Sequence, residues 1–340
     1  MRYKIKLFMK FFLIITFSFL SILTNANSID LKEKIDFKKK FENLKDNKIN
    51  NFTNSISKDF SNFANEHFKR LKYLDFNINT QEHLKPTFNI MTVTEIKKLN
   101  AGTIFNQTSI NTHDDDETIN IGFGLRRLIK DDMILLGSSV FYDHQLNQSH
   151  QRVGAGVEAI SSIFDLRGNY YNGISERRKN KEGLSERALD GWDLQMDYHL
   201  PVKSDVSLFI NAFEFKNPEK TSTYRERGNK MGASATLGNF IIEAGYLDDN
   251  QQSDAYFGSI KFVLKTGESK DKSKKDYYAL SEIEKPKTDQ KMKNSYRKGK
   301  SSTDDYSWQS VKDKLYNPVK RENKIRIVKI EVSGVEVSGF

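Results

Sequence analysis

The chain contains no cysteine, so neither a disulfide scaffold nor a thiolate metal site organises it. Proline is scarce, with five in 340 residues. Pro86, Pro201, Pro218, Pro286 and Pro318 all fall outside the segments of alternating polarity described below, where a missing N–H donor would break a ladder. Past the N-terminus no window approaches the roughly 20 apolar residues that a spanning helix needs. With 37% hydrophobic and 29% charged residues and a net charge of +9, a helical membrane protein is excluded.

What is present begins with a targeting signal. Basic Met1-Arg-Tyr-Lys-Ile-Lys precedes the apolar run Phe11 to Leu23 and the small-residue end Thr24-Asn25-Ala26, which is the layout of a secretory signal peptide over residues 1–26. Residues 27–69 carry Phe37, Phe41, Leu44, Phe52, Ile56, Phe60 and Phe63 mostly three or four apart, and are expected to form an amphipathic, periplasmic helical segment.

From Leu71 to Lys265 the period becomes two. Ile119, Ile121, Phe123 and Leu125 alternate with Asn120, Gly122, Gly124 and Arg126; Val153, Ala155, Val157 and Ala159 alternate with Arg152, Gly154, Gly156 and Glu158. Phe164, Leu166 and Tyr170 oppose Asp165, Arg167 and Asn169, and Trp192, Leu194, Met196 and Tyr198 oppose Asp193, Gln195, Asp197 and His199. Twelve such segments are readable, each about 8 to 11 residues long, the length a tilted strand needs to cross a bilayer. The connections are sorted. Those at one end, such as residues 112–117, 143–151, 174–190 and 216–228, are long and charged, whereas those at the other, such as 161–162 and 238–239, are tight. Long loops at one rim and short turns at the other, on an even strand number behind a signal peptide, predict an all-β transmembrane antiparallel barrel over residues 70–265. Tyr73, Phe76, Tyr142, Tyr170, Trp192, Tyr198, Phe240, Tyr246, Tyr256 and Phe262 lie near strand ends, where aromatic girdles belong. Residues 266–340 read as a linker tail with no passenger domain: Lys-, Glu- and Ser-rich from Thr266 to Ser302, then a short helix over Trp308 to Leu315, then a strand-like Lys324 to Val337.

The runs TINIGFGLRRL, LLGSSVFYDHQLNQSHQRVGAGVEA, LRGNYY and GWDLQMDYHLP, in that order between Thr118 and Pro201, resemble the β-domain of the inverse autotransporters, the family of intimin and invasin. Val319-Lys-Arg321-Glu-Asn323-Lys-Ile325 is similar to the segment that joins that family's barrel to its exported passenger. The resemblance implies a twelve-stranded outer-membrane barrel that exports or anchors a C-terminal segment. Its implied partners are membrane lipid, the barrel assembly machinery, periplasmic chaperones and a cell-surface ligand, with no nucleic acid. The second reading is a stand-alone outer-membrane channel or structural barrel.

The candidate site is the lumen face. Arg126, Arg152, Glu158, Asp165, Arg167, Asp193, Asp197, Gly154 and Gly156 fall on the polar side of their segments. The acidic residues, with Glu243, are expected to pair with tail cations between Thr266 and Ser302, each pair weak and partly solvated. Asp193, Asp197 and His199 are expected to pair with Arg126, Arg152 and Arg167. Gly122, Gly124, Gly154 and Gly156 are expected to leave room for a threaded backbone. Asp143, His144 and His150 flank one long loop, and a metal there is disfavoured. Two aspartates at i and i+4 on a strand stand more than about a dozen ångströms apart, too far for base and orienter. No enzyme, cofactor or metal site is therefore expected.

Overall fold

The computed structural model describes residues 70–266, 309–330 and 336–338, less residues 83, 114–115, 182, 202–204 and 252–253. The expected signal peptide and amphipathic segment lie outside the described residues, as does most of the Thr266 to Ser302 stretch.

Period-two polarity becomes a closed antiparallel barrel. Its strands are β1 (Leu71–Gln81), β2 (Thr87–Leu99), β3 (Gly102–His113), β4 (Asp116–Ile129), β5 (Ile134–Gln145), β6 (Gln151–Ile160) and β7 (Phe164–Gly173). After two short strands, β8 (Arg178–Lys179) and β9 (Ser185–Ala188), it continues with β10 (Asp190–His199), β11 (Val206–Lys216), β12 (Arg225–Leu237), β13 (Phe240–Asp249) and β14 (Ala255–Lys265). β14 pairs with β1 from Tyr73↔Lys265 to Gln81↔Phe257 and closes the cylinder, with β10 paired directly to β7. Closure leaves no edge among the twelve strands, which is the condition for a sheet to cross lipid.

Burial alternates with the pleat. Along β4, Asn120, Gly122, Gly124 and Arg126 are buried while Ile121, Phe123 and Leu125 are 41%, 53% and 46% exposed. Val140, Val157, Leu194, Met196 and Ile210 are likewise exposed on other strands. In water such a surface would forfeit roughly 25 cal/mol for every Å² left uncovered; lipid removes that cost, so the apolar face is the outer one.

The two rims differ. Tight turns at residues 100–101, 130–133, 161–163 and 238–239 form the turn rim. Connections at 146–150, 174–189, 217–224 and 250–254 form the loop rim. The expected long link at 112–117 is only two residues, because β3 runs to His113 and β4 begins at Asp116. At the loop rim Tyr170 and Trp192 are register partners on the outside, as are Tyr246 and Tyr256, whose rings meet edge to face at 5.4 Å. Tyr73 departs from the expected girdle. It shares parity with inward Asp75, is 2% exposed, and donates its hydroxyl to that carboxylate at 2.9 Å.

A second sheet sits at the loop rim, in the order β16-β15-β9-β8, where β15 is Ile327–Ile330 and β16 is Glu336–Ser338. Residues 174–190, expected as a plain loop, thus carry a hairpin onto which the tail adds two strands. The helix expected over Trp308 to Leu315 is a single 3-10 turn at Lys312–Lys314, with Trp308 outside the described residues.

Candidate functional site

The lumen is occupied by residues 309–326, and their partners rise in order from the turn rim to the loop rim. At the bottom, Lys130, Asp131 and Asp132 in the β4–β5 turn take φ of 51°, 56° and 66°, and the Asp132 carbonyl accepts Val311 N–H at 2.8 Å. Val311 and Leu315 pack with Leu128, Leu135 and Ile160, an apolar stopper at the turn rim. Arg126 donates through Nη1 to the carbonyls of Leu315, at 3.0 Å, and Asn317, and through Nε to Glu158 at 2.6 Å.

Above this, Gln107 binds both backbone polar groups of one residue, accepting from Val319 N–H at 2.7 Å and donating to its carbonyl at 3.3 Å. The Val319 side chain joins Tyr73, Val93, Phe105, Phe141 and Val263 in an apolar cluster that crosses the lumen. Asn169 donates to Lys320 O at 3.2 Å. Arg321 then makes a fork onto Asp143 at 2.8 and 2.6 Å, with its guanidinium 4.2 Å from the Phe141 ring centre and 5.4 Å from that of Tyr171. Arg152 binds the same carboxylate at 2.8 Å and donates to Glu322 O at 2.6 Å. Asn120 spans Asp143 at 2.7 Å and Asn323 O at 2.9 Å. Arg326, bonded to Glu226 and at 3.1 Å to Glu322, lies 4.4 and 4.7 Å above the rings of Phe213 and Phe215. The Arg326 carbonyl accepts Leu189 N–H at 2.9 Å, after which the tail pairs with β9.

The side chains of Asp143 and Arg321 are 0% and 1% exposed. A pair so enclosed is neither weak nor solvated; the weak, partly solvated pairs expected from the Thr266 to Ser302 cations lie outside the described residues. Its attraction is unscreened, and removing one partner strands a buried charge, a loss of roughly 3–5 kcal/mol. Lys314 and Lys320 reach Asp165 at 3.3 Å and Asp197 at 2.8 Å. Among the described residues the tail cations that meet the wall are therefore those of 309–326.

All the sequence-named lumen residues face inward, but several pairings differ. Arg167 contacts Asp197, as well as Asp165 at 2.7 Å. Arg126 pairs with Glu158, and Arg152 with Asp143. Among the described residues Asp193 forms no ion pair with an arginine. It accepts from Asn169 at 2.9 Å and from the Tyr171 hydroxyl, which in turn accepts Glu322 N–H at 2.8 Å. His199 stands 3.2 Å from Asp165. Glu243 has no tail partner among the described residues. The glycines serve the wall more than the tail. A Cβ at Gly122 or Gly124 would run into the rings of Phe141 and Phe105, their cross-strand partners, and one at Gly156 into Asn169. Gly154 alone of the four faces the threaded segment, with the Arg321 guanidinium 3.4 Å from the Cβ position. Asp143, assigned to a loop from sequence, is the centre of the site, since β5 runs to Gln145 and keeps parity with Phe141. His150 is buried, 3.3 Å from Ser175 Oγ and 3.4 Å from Glu186 Oε2, so it ties the β5–β6 loop to β9.

Apolar outside, polar and charged inside, closed on itself with loops at one rim, the molecule is a β-barrel of the Gram-negative outer membrane. A solved membrane-protein structure from work on in-meso crystallisation matches it with a TM-score of 0.56 at 17% identity, over 75% of this chain and 98% of the other. The family model for the inverse autotransporter β-domain matches residues 23–238. The chain belongs to the inverse autotransporter family. Over 101 residues it is 36% identical to an attaching and effacing protein homolog of Escherichia coli (strain K12), covering 29% of this chain and 34% of that one. Over the same length it is 31% identical to invasin of Yersinia enterocolitica and 30% to the inverse autotransporter adhesin YeeJ of Escherichia coli (strain K12), covering 12% and 4% of those proteins. The match thus spans about a third of the first relative's length and much less of the others.

Proposed function

We propose that this barrel is the outer-membrane anchor and translocator for its own C-terminal segment, holding residues 309–326 in the lumen and presenting the chain beyond them at the cell surface. The observation that carries this is the ordered ladder of contacts from Asp132 at the turn rim through Asp143 to Glu226 at the loop rim. In outer-membrane barrels short turns face the periplasm and long loops the exterior, so the tail enters from the periplasmic side. Family and fold support a structural or adhesive role. Membrane lipid is the one partner the outer wall itself calls for; the barrel assembly machinery and periplasmic chaperones are proposed partners in its biogenesis.

An epitope tag after Phe340 tests this. It should be labelled by antibody on intact cells, and labelling only after permeabilisation overturns the reading. The competing reading, an open channel, is separated by conductance in planar bilayers. A held tail keeps conductance low until residues 267–340 are deleted, whereas a channel conducts equally with and without them.

A further inference from the structure

The threaded segment does not fill the lumen evenly. Most of its polar contacts are with β3 to β7 and β10, while Val319 also packs on β1, β2 and β14 and Arg326 bonds Glu226 on β12; beside it, lined chiefly by β1, β2 and β11 to β14, remains a cavity of about 370 Å³. Its wall begins near the loop rim at Gln81, Lys85 and Thr87 and ends below at Lys261 and Val319, the level at which the apolar cluster around Val319 crosses the barrel. The cavity is therefore a cup mouthing at the loop rim.

The lining is chemically selective. One wall presents the carboxamides of Asn77, Asn79, Asn89 and Asn111, and the facing wall adds Gln195 and Asn211. The rings of Phe209 and Phe257, 6.2 Å apart between centres, flank them. Among the described residues the cup is bordered by seven cations, and they have partners: Lys320 on Asp197, Arg326 on Glu226, Arg321 on Asp143 and Lys230 3.9 Å from Glu322, with Lys261 facing buried Asp75 and Lys85 and Lys324 also engaged. A phosphate or sulfate thus finds few uncommitted cations, and an apolar ligand would strand the amides. Several of these amides are already linked, Asn77 to Asn79 at 3.0 Å, Asn79 to Thr87 at 3.3 Å, Asn89 to Asn111 and Gln195 to Asp197 at 3.0 Å. Each keeps a second N–H or lone pair, which matches vicinal hydroxyls acting as donor and acceptor, while phenyl rings pack against the apolar face of a pyranose. The volume lies at the small end of the roughly 300–1,000 Å³ of ligand sites, enough for a mono- or disaccharide unit.

We infer that this cup, open at the surface rim, binds a neutral saccharide of one or two units, either a free sugar or the exposed end of an envelope glycan. The inference rests on the tail occupying the lumen, because Val319 supplies the floor. Isothermal titration of the purified full chain, in a detergent without a sugar headgroup, tests it with three probes: maltose, N-acetylglucosamine, and core oligosaccharide released by mild acid from the host's own lipopolysaccharide. Saturable binding of at least one is expected. Asn211→Trp, which fills the cup, and Asn79→Leu, which removes an amide without adding bulk, should each weaken it at least tenfold with heat-modifiable migration unchanged. Binding of the core oligosaccharide alone assigns an envelope glycan, and binding of the simple sugars assigns a solute; either result supports the cup. No saturable heat from any probe, or binding unchanged in both variants, overturns it. Surface labelling of the Phe340 tag, scored on the same cells, separates the outcomes: a labelled tag without binding counts against the cup alone, and an unlabelled tag counts against the threading.

Discussion

The two sides of the lumen are built on the same pleat yet carry different chemistry. Strands β3 to β7 and β10 present Arg126, Asp143, Arg152, Asp165, Arg167 and Asp197, buried charges that pair within the wall and take Lys314, Lys320 and Arg321 of the tail as further partners. The opposite wall presents the amides Asn77, Asn89 and Asn211 around a cavity and meets the tail at fewer points, chiefly Val319 in the apolar cluster and Arg326 on Glu226. An amide-lined wall tolerates water, whereas a wall of charges enclosed by an aromatic and apolar cluster does not. The difference teaches that the tail closes one wall along its length and leaves most of the other open.

The largest effect should come from breaking the charged side. Arg321→Ala leaves Asp143 with Arg152 alone, so the loss belongs at the low end for a broken buried pair, about 3 kcal/mol by denaturant titration in micelles; Asn211→Ala on the cavity side should cost less than about 1 kcal/mol. An equal loss at both would erase the distinction between the walls. Next comes the lipid face. Met196→Arg, at a side chain 48% exposed at mid-strand, should cost about 2–4 kcal/mol. Gln195→Lys on the adjacent inward position, which keeps a donor beside Asp197, 3.0 Å from the present amide, should cost far less, and similar losses would contradict the lipid-facing assignment. A smaller change is expected at the turn rim. Asp131→Gly removes the left-handed strain of a non-glycine residue and should stabilise by up to about 1 kcal/mol, seen as a rise in the temperature of heat-modified migration.

The smallest effect lies outside the membrane. Arg177 donates to Glu219 at the loop rim, and that hydrogen bond, outweighing the upward push of burial, holds the Glu219 carboxyl below the usual range. A depressed carboxyl contributes stability above its unfolded pKa and loses it as pH falls through the folded value. Glu219→Gln should therefore flatten the acid limb of the stability profile slightly, and high salt should do the same to the parent chain.

The wall is largely readable without coordinates because a period of two assigns each side chain to lipid or lumen, as it does for Ile121 and Asn120. What escapes depends on register or on non-local pairing. β8 and β9 are two and four residues long, too short for alternation to register. Asp143 falls beside a loop if β5 ends at Tyr142, although extending the alternation through Phe141, Asp143 and Gln145 turns it inward. By spacing alone the glycines read as space for the tail. Their cross-strand partners, Phe141 opposite Gly122 and Phe105 opposite Gly124, show the more local use, a ring laid over a glycine. Partner choice among buried charges, such as Asp193 with Tyr171 in place of an arginine, is set by three-dimensional adjacency that spacing does not contain.

The central claim is that residues 309–326 lie in the lumen against the charged wall. A chain without cysteine allows a clean test with paired substitutions. Asn120→Cys with Asn323→Cys replaces the Asn120 side chain that donates to Asn323 O at 2.9 Å, and a short bifunctional thiol reagent added to membranes should join them, shifting electrophoretic mobility. Outward Met196→Cys with Asn323→Cys is the control and should not be joined. Cross-linking of 120 with 323 and not of 196 with 323 is the result predicted; no cross-link at 120–323 in folded, heat-modifiable protein would contradict a tail threaded through this barrel.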